Sequence, residues 1–186
     1  MKCEFILNVG LKNMNKNQQL MDFLPPLSNF WNEKSGTFTS YRINQSQVES
    51  TERPALVFLH GFNGSSKSWA CQFGHFTSQT VIAIDAPGFG ESQSIDGGMV
   101  AIADEVAALI TSLVTGKVVI IGHSMGGMLA QVLGATHPDI CQAIILSCTH
   151  KGRAQPVGSP LGAAVQERIQ QREVMDDASY GALRVG

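Results

Sequence analysis

The sequence predicts an α/β domain of three layers, in which helices flank a mostly parallel sheet. Four short apolar runs support this prediction: residues 55–60, 80–86, 117–123 and 142–148. Each run is continuous rather than alternating, which is typical of strands that are covered on both faces. Segments with helical spacing separate the runs, and strand–helix–strand units of this kind form right-handed crossovers between parallel strands.

The segments between and before the runs indicate the remaining elements. Apolar residues recur on one stripe over residues 99–114, so this segment is the clearest predicted helix. Residues 125–138 predict a second helix, which Pro138 terminates, and residues 69–76 predict a third. Residues 36–43 alternate and contain β-branched and aromatic side chains, which predicts one further strand.

Length and composition fit one domain with a well-packed interior. The 186 residues are 44% hydrophobic and 15% charged, and 13 basic against 15 acidic side chains give a formal net charge of −2. No basic run is present, which argues against nucleic acid as a partner. The sequence has neither a run of transmembrane length nor a signal-peptide pattern, so we expect a cytoplasmic protein that does not bind membranes. The four cysteines form no metal-binding pattern.

The most informative stretch is "VVIIGHSMGG", residues 118–127, where a predicted strand gives way to small residues around Ser124. A sharp turn from strand to helix forces the residue at its tip into a strained backbone conformation and projects its side chain outward. The residues two before and two after the tip crowd together, and Gly122 and Gly126 have no Cβ to collide. Ser124 would then lie at a helix N-terminus, where unpaired amides favour negative charge.

An ordinary turn is the alternative interpretation of this stretch. The pattern G-x-S-x-G is a weak signal by itself in a chain with 19 glycines. Serine is also a favoured N-cap residue, so Ser124 could simply cap the helix that follows. The apolar strand before Ser124 and the helix-forming residues after it favour the nucleophile turn.

Two further motifs lie at the ends of predicted strands: "HGFNG" at residues 60–64 and "DAPGFGES" at residues 85–92. Together with "GHSMGG" at residues 122–127, in this order and spacing, they resemble the α/β-hydrolase superfamily in its serine-nucleophile branch. The stretch "AIILSCTHKGRAQP", residues 143–156, and the helical segment after it are similar to enol-lactonases and small-ester hydrolases. The resemblance covers roughly residues 36–150.

This resemblance implies a cofactor-independent hydrolase whose substrate is a small carboxylic ester or lactone. Ser124 is the implied catalytic nucleophile, and the backbone N–H groups of Phe62 and Met125 are the implied oxyanion hole. The implied elbow and pocket rim comprise His60, Gly61, Gly122, His123 and Gly126. For His60, organisation of its loop by hydrogen bonding and a plain position at a strand end are both open. No metal site is implied.

A base and an acid that would activate Ser124 are not evident downstream. In the family that the chain resembles, an acid and then a histidine follow the nucleophile on later strands. His137 falls at the far end of a predicted helix, and His150 lies at the correct sheet edge without an evident acid partner. Without a base the serine alcohol is a poor nucleophile.

We therefore expect three regions: an N-terminal arm at residues 1–35 without a chemical role, the N-terminal part of a hydrolase core at residues 36–150, and the start of a helical cap at residues 151–186. The C-terminal strands of the sheet would be lacking, as in a piece of a longer hydrolase with low or absent turnover. The uncovered edge of such a sheet would promote aggregation or the formation of a homodimer. The alternative is a non-catalytic α/β scaffold that binds a small ligand or a partner.

Overall fold

The computed structural model describes residues 21–44, 53–152, 160, 162–176 and 179. The chain divides into two compact units, residues 1–151 and residues 152–186. The first unit contains the sheet and its helices. The described part of the second unit consists mainly of one helix, at residues 163–174.

Six strands form the sheet: β1 (Leu27–Asn32), β2 (Thr37–Asn44), β3 (Leu56–Leu59), β4 (Val81–Ile84), β5 (Val118–His123) and β6 (Cys141–Ser147). Their order across the sheet is β1-β2-β4-β3-β5-β6. The neighbours from β4 to β6 are parallel, whereas β2 is antiparallel to both β1 and β4. The mostly parallel sheet that the sequence predicts is confirmed, and each of the four apolar runs contains or closely matches one of its parallel strands.

The helices also follow the sequence pattern. A 3₁₀ turn (Ser66–Trp69) leads into α1 (Ala70–His75), and the longer helices are α2 (Gly98–Leu113), α3 (Met125–Thr136) and, in the second unit, α4 (Ala163–Val174). Among the described residues, no helix has both the length and the apolar character needed to cross a bilayer.

Helices cover both faces of the central strands, which explains why these strands are continuous apolar runs. On β3, Val57 and Leu59 belong to an apolar cluster that includes side chains of α2 and α3. The alternate residues Leu56 and Phe58 belong to a second cluster, with Phe73 of α1. Successive strand residues point to opposite faces, so these two clusters are the two interfaces of a three-layer domain.

The N-terminal arm predicted at residues 1–35 differs in part from the structure, because Leu27–Asn32 form strand β1. This strand pairs along its length with β2, from Leu27 opposite Arg42 to Asn32 opposite Thr37. Its exposed and half-buried residues alternate, as in an edge strand with one face on the core. Residues 1–20 lie outside the described residues.

At the opposite side of the described sheet, β6 is the last strand. Most of its side chains are exposed, and Ile145 and Leu146 retain 53% and 47% of their accessible surface. An edge strand of this apolar character lacks the charges and prolines that usually protect sheet edges. The carboxyl ends of the parallel strands β3 to β6 meet at one edge of the sheet, where the three sequence motifs lie.

Candidate active site

Ser124 occupies the sharp turn between β5 and α3. Its backbone angles are φ 53° and ψ −114°, a conformation that L-residues rarely adopt. Only one other described non-glycine residue, Cys148, has a positive φ. Strained residues of this kind concentrate at functional sites, and the strain at Ser124 agrees with the turn that the glycine spacing predicts.

Glycines allow this turn because a Cβ atom at either of two positions would overlap backbone atoms. A Cβ on Gly122 would overlap the carbonyl of Gly126, so the predicted crowding across the turn is present. A Cβ on Gly126 would overlap the carbonyl groups of Leu59 and His60 at the end of β3. Gly126 therefore brings the start of α3 against the loop that follows β3, a second role that the sequence pattern did not indicate.

The Ser124 hydroxyl is not used as a helix cap. Ser124 stands at the N-cap position of α3, yet its side chain makes no capping hydrogen bond. Among the residues that the structure describes, no side chain hydrogen-bonds to its Oγ. The half-buried hydroxyl is therefore available to a ligand, which argues against the simple capping interpretation.

The loop after β3 lies directly beside Ser124. A Cβ on Gly61 would sit 3.4 Å from Ser124 Cβ and 3.4 Å from Cδ2 of the exposed His123. Within the described part of the chain, the backbone N–H groups of Phe62 and Met125 have no hydrogen-bond acceptor. Two unpaired amides on the two segments that flank a serine hydroxyl are the donors that an oxyanion requires.

His60 connects this loop to the turn after β4. The ring is 1% exposed; its Nδ1–H donates to the Gly61 carbonyl at 2.7 Å, and its Nε2 accepts from the Ala86 N–H at 3.1 Å. These bonds require the neutral ring with the proton on Nδ1. Burial lowers the pKa of His60, although the hydrogen bond to Gly61 and the charge of Asp85 act in the opposite direction. Of the two interpretations of His60, the contacts favour organisation of the loop.

Asp85 supplies a second connection between the same two segments. Its carboxylate accepts the Ser66 N–H at 2.5 Å and the Glu91 N–H at 3.4 Å, and its side chain is 2% exposed. A Cβ on Gly90 would overlap this carboxylate. Asp85 therefore shapes the turn at residues 85–92 through its contacts with backbone N–H groups.

The C-terminal end of β6 and the residues just after it also contact the turn at Ser124. Ser124 N–H donates to the Ser147 carbonyl at 2.9 Å, and the Thr149 hydroxyl donates to the Ser124 carbonyl at 2.6 Å. These contacts were not predicted: Ser147 and Thr149 lie within the stretch at residues 143–156, but nothing in that stretch assigns them a contact with Ser124. Their position at the end of a strand adjacent to β5 was the sole available signal.

The side chains of His137 and His75 contact residues other than Ser124. His137 follows the C-terminal end of α3 and pairs with Asp104 at 2.8 Å, while the His75 ring lies edge-on to Phe76. Among the described residues, no group of three or more His, Cys, Asp or Glu side chains could hold a metal ion.

The fold and the site define a protein of the α/β hydrolase class: a mostly parallel sheet, helices on both faces, and a serine on a glycine-packed turn at the carboxyl end of a central strand. A sequence model of the alpha/beta hydrolase fold matches residues 54–174, which is more than half of the chain. The chain therefore belongs to this family.

Two similar curated proteins are named as a synthase and a lipase. The chain is similar to 2-succinyl-6-hydroxy-2,4-cyclohexadiene-1-carboxylate synthase of Enterobacter sp. (strain 638), 33% identical over 103 residues that cover 53% of this chain and 39% of that protein. It is also similar to an sn-1-specific diacylglycerol lipase of Mus musculus, 33% identical over 116 residues that cover 60% and 38%, respectively.

The structure is similar to that of Est816, described as an N-acyl homoserine lactone degrading enzyme. The TM-score is 0.57 at 28% identity, over 66% of this chain and 45% of that chain. This chain thus spans less than two fifths of the length of the two relatives above and less than half of Est816.

Proposed function

We propose that Ser124 is the nucleophile of a serine hydrolase that cleaves a small carboxylic ester or lactone through an acyl-enzyme. The observation that supports this most strongly is the unengaged Ser124 hydroxyl at the tip of a strained turn, between two segments with unpaired amides. Neither a capping serine nor a buried structural hydroxyl requires this combination.

The amides of Phe62 and Met125 would stabilise the charge that develops during acylation. Attack by Ser124 Oγ forms a bond to the substrate carbonyl carbon and moves negative charge onto the carbonyl oxygen. Both N–H groups would donate to that oxygen, and losing one such donor typically costs about 3–4 kcal/mol of transition-state stabilisation. His60 would hold the Phe62 amide in place, because its two hydrogen bonds fix the loop from Gly61 onward.

An apolar acyl group suits the surface beside Ser124. Phe62 is 63% exposed although its ring lies edge-on to Phe89 at 5.6 Å, and Phe89 in turn lies edge-on to His60 at 5.4 Å. An exposed aromatic side chain on the loop that adjoins Ser124 would bury further against a bound acyl chain. The names of a lipase and a lactone-degrading enzyme among the similar proteins agree with acyl substrates.

Turnover by this chain is proposed to be slow. Among the described residues, no imidazole or carboxylate hydrogen-bonds to Ser124 Oγ, so the hydroxyl proton has no positioned acceptor. Oxyanion stabilisation without a base still accelerates acylation, but by orders of magnitude less than a complete triad.

The same observation favours the second candidate, a non-catalytic scaffold that binds a small ligand. Acylation by p-nitrophenyl acetate distinguishes the two, since nitrophenolate leaves without help from a general acid. The hydrolase proposal predicts a burst of nitrophenolate approaching one equivalent, followed by slow release, and no burst from Ser124→Ala. A folded protein that releases nitrophenolate no faster than Ser124→Ala would favour the scaffold.

A further inference from the structure

Both polar backbone atoms of Ser124 are held by the segment that ends β6. The Ser124 N–H donates to the Ser147 carbonyl, and the Ser124 carbonyl accepts the Thr149 hydroxyl at 2.6 Å. Cys148, between these two residues, has φ 48°, so the chain turns there and presents both groups to the same residue. The strained peptide at Ser124 is thus fixed from a neighbouring strand as well as from its own helix.

The Ser124 carbonyl accepts three hydrogen bonds, and the one from the Thr149 hydroxyl is the shortest. The other donors are the N–H groups of Gly127 at 3.0 Å and Met128 at 3.2 Å, both from the first turn of α3. Their bonds fix the carbonyl only relative to α3. The contact from Thr149 fixes the carbonyl relative to the segment that follows β6 instead.

The Thr149 side chain occupies space that a side chain at residue 127 would need. A Cβ on Gly127 would lie 2.6 Å from both Cβ and Cγ2 of Thr149 and 2.7 Å from its Oγ1. The missing side chain at Gly127 thus makes room for Thr149, which is half-buried. The branched Cβ of threonine restricts its rotamers further, so the hydroxyl is held toward the Ser124 carbonyl.

We propose that Thr149 is a positioning residue for the nucleophile: its hydroxyl, bonded to the Ser124 carbonyl, holds Ser124 Oγ in the direction of the Phe62 and Met125 amides. This inference rests on the proposed function of Ser124. It assigns Thr149 no contact with substrate.

The test is the rate at which a fluorophosphonate probe labels Ser124, separated into the probe's binding constant and the maximal labelling rate. Thr149→Val keeps the side-chain shape and removes the hydroxyl, whereas Thr149→Ser keeps the hydroxyl and removes the methyl group. We expect T149V to lower the maximal rate by about tenfold or more with an unchanged binding constant, because small displacements of a reacting group cost rates of this order. We expect T149S to retain the rate within about threefold.

The matched control is Thr136→Val. Thr136 also donates its hydroxyl to a backbone carbonyl, that of Val132 at 2.9 Å, but at the far end of α3. T136V is expected to label at the unmodified rate. If T149V does not fold by circular dichroism, Thr149→Ala replaces it, since T149A and T149S both lack the methyl group and differ only in the hydroxyl.

The outcomes separate this inference from the proposed function. Folded T149V, or folded T149A, that labels as fast as the unmodified chain overturns the inference alone. The reversed ranking, with T149S slow and T149V fast, would assign Thr149 a packing role through its methyl group and also overturns it. Absence of labelling in the folded, unmodified chain overturns the proposed function and the inference together.

Discussion

At the scale of single residues, the site depends on backbone segments that approach each other so closely at Gly122 and Gly126 that no side chain fits there. The carbonyl groups of Gly126, Leu59 and His60 occupy the positions that Cβ atoms on Gly122 and Gly126 would take. The contacting atoms are backbone and cannot rotate away. The elbow is therefore sensitive to the smallest possible substitution.

We predict that Gly126→Ala lowers the free energy of unfolding by about 1–3 kcal/mol, as expected when an added methyl group displaces packed backbone. Gly134→Ala in the same helix is the matched control, because its Cβ would meet only the flexible end of Ile144. At Gly134 the gain in helix propensity of about 0.5–1 kcal/mol offsets that contact. Urea denaturation measures both, and equal effects would contradict the assigned role of Gly126.

His60 gives the site a pH-dependent stability. Burial holds its pKa below the ordinary value of 6.5, so between the two values the unfolded chain binds more protons than the folded chain. Stability is therefore complete above pH 6.5 and is lost as the pH falls through the lowered pKa. We predict a decline in the free energy of unfolding as the pH falls below about 6.5, and we expect His60→Gln to reduce this decline.

The control for this prediction is His137→Gln, since His137 is partly exposed and lies at the other end of α3. This variant leaves the His60 ring and its two hydrogen bonds unchanged, so it is expected to retain the decline at low pH. An unchanged pH dependence in a folded His60→Gln variant would contradict the assignment.

Single residues were predictable where glycine spacing constrained them. Ser124, Gly122 and Gly126 follow from one pattern, because a sharp strand-to-helix turn requires small residues at fixed distances. Thr149 was not predictable in this way. Its contact depends on which strand neighbours β5 and on the turn at Cys148, and neither leaves a local sequence pattern.

At the scale of elements, continuous apolar runs identified the parallel strands because both of their faces are covered. The same criterion missed β1, whose sequence LSNFWN has one exposed face and mixes polar with aromatic residues. Pro25 and Pro26 before it also favoured an irregular arm. An edge strand of this kind is recognised only by its partner, here β2.

A buried carboxylate joins this hairpin to α2. Glu105 is 2% exposed, and it accepts the Asn32 side-chain N–H at 2.7 Å and the Thr39 hydroxyl at 3.4 Å. Asn32 ends β1 and Thr39 lies on β2, so one side chain satisfies donors from both strands of the hairpin. Removing the carboxylate would leave these donors without an acceptor.

We predict that Glu105→Ala lowers the free energy of unfolding by about 1–3 kcal/mol, the usual cost of an unsatisfied buried polar group. The neighbouring Asp104 is the matched control: it is 57% exposed, and its pair with His137 is a surface contact. Asp104→Ala is expected to change stability by less than about 0.5 kcal/mol. Chemical denaturation would contradict this account if both variants were equally stable.

At the scale of the whole molecule, the fold follows from the alternation of strands and helices, and the family match agrees with it. The full set of catalytic residues could not be predicted to the same degree. A nucleophile and oxyanion donors are encoded in local motifs, whereas a base and its acid come from distant parts of a fold. The chain spans less than two fifths of the length of the two curated relatives described above.

Labelling with a fluorophosphonate, followed by peptide mapping, tests the central claim most directly. The account predicts a single covalent adduct on the folded chain, on the peptide that contains Ser124, with no adduct on Ser124→Ala. A folded chain that forms no adduct, or forms one on a different serine, would contradict the assignment of Ser124 as a nucleophile.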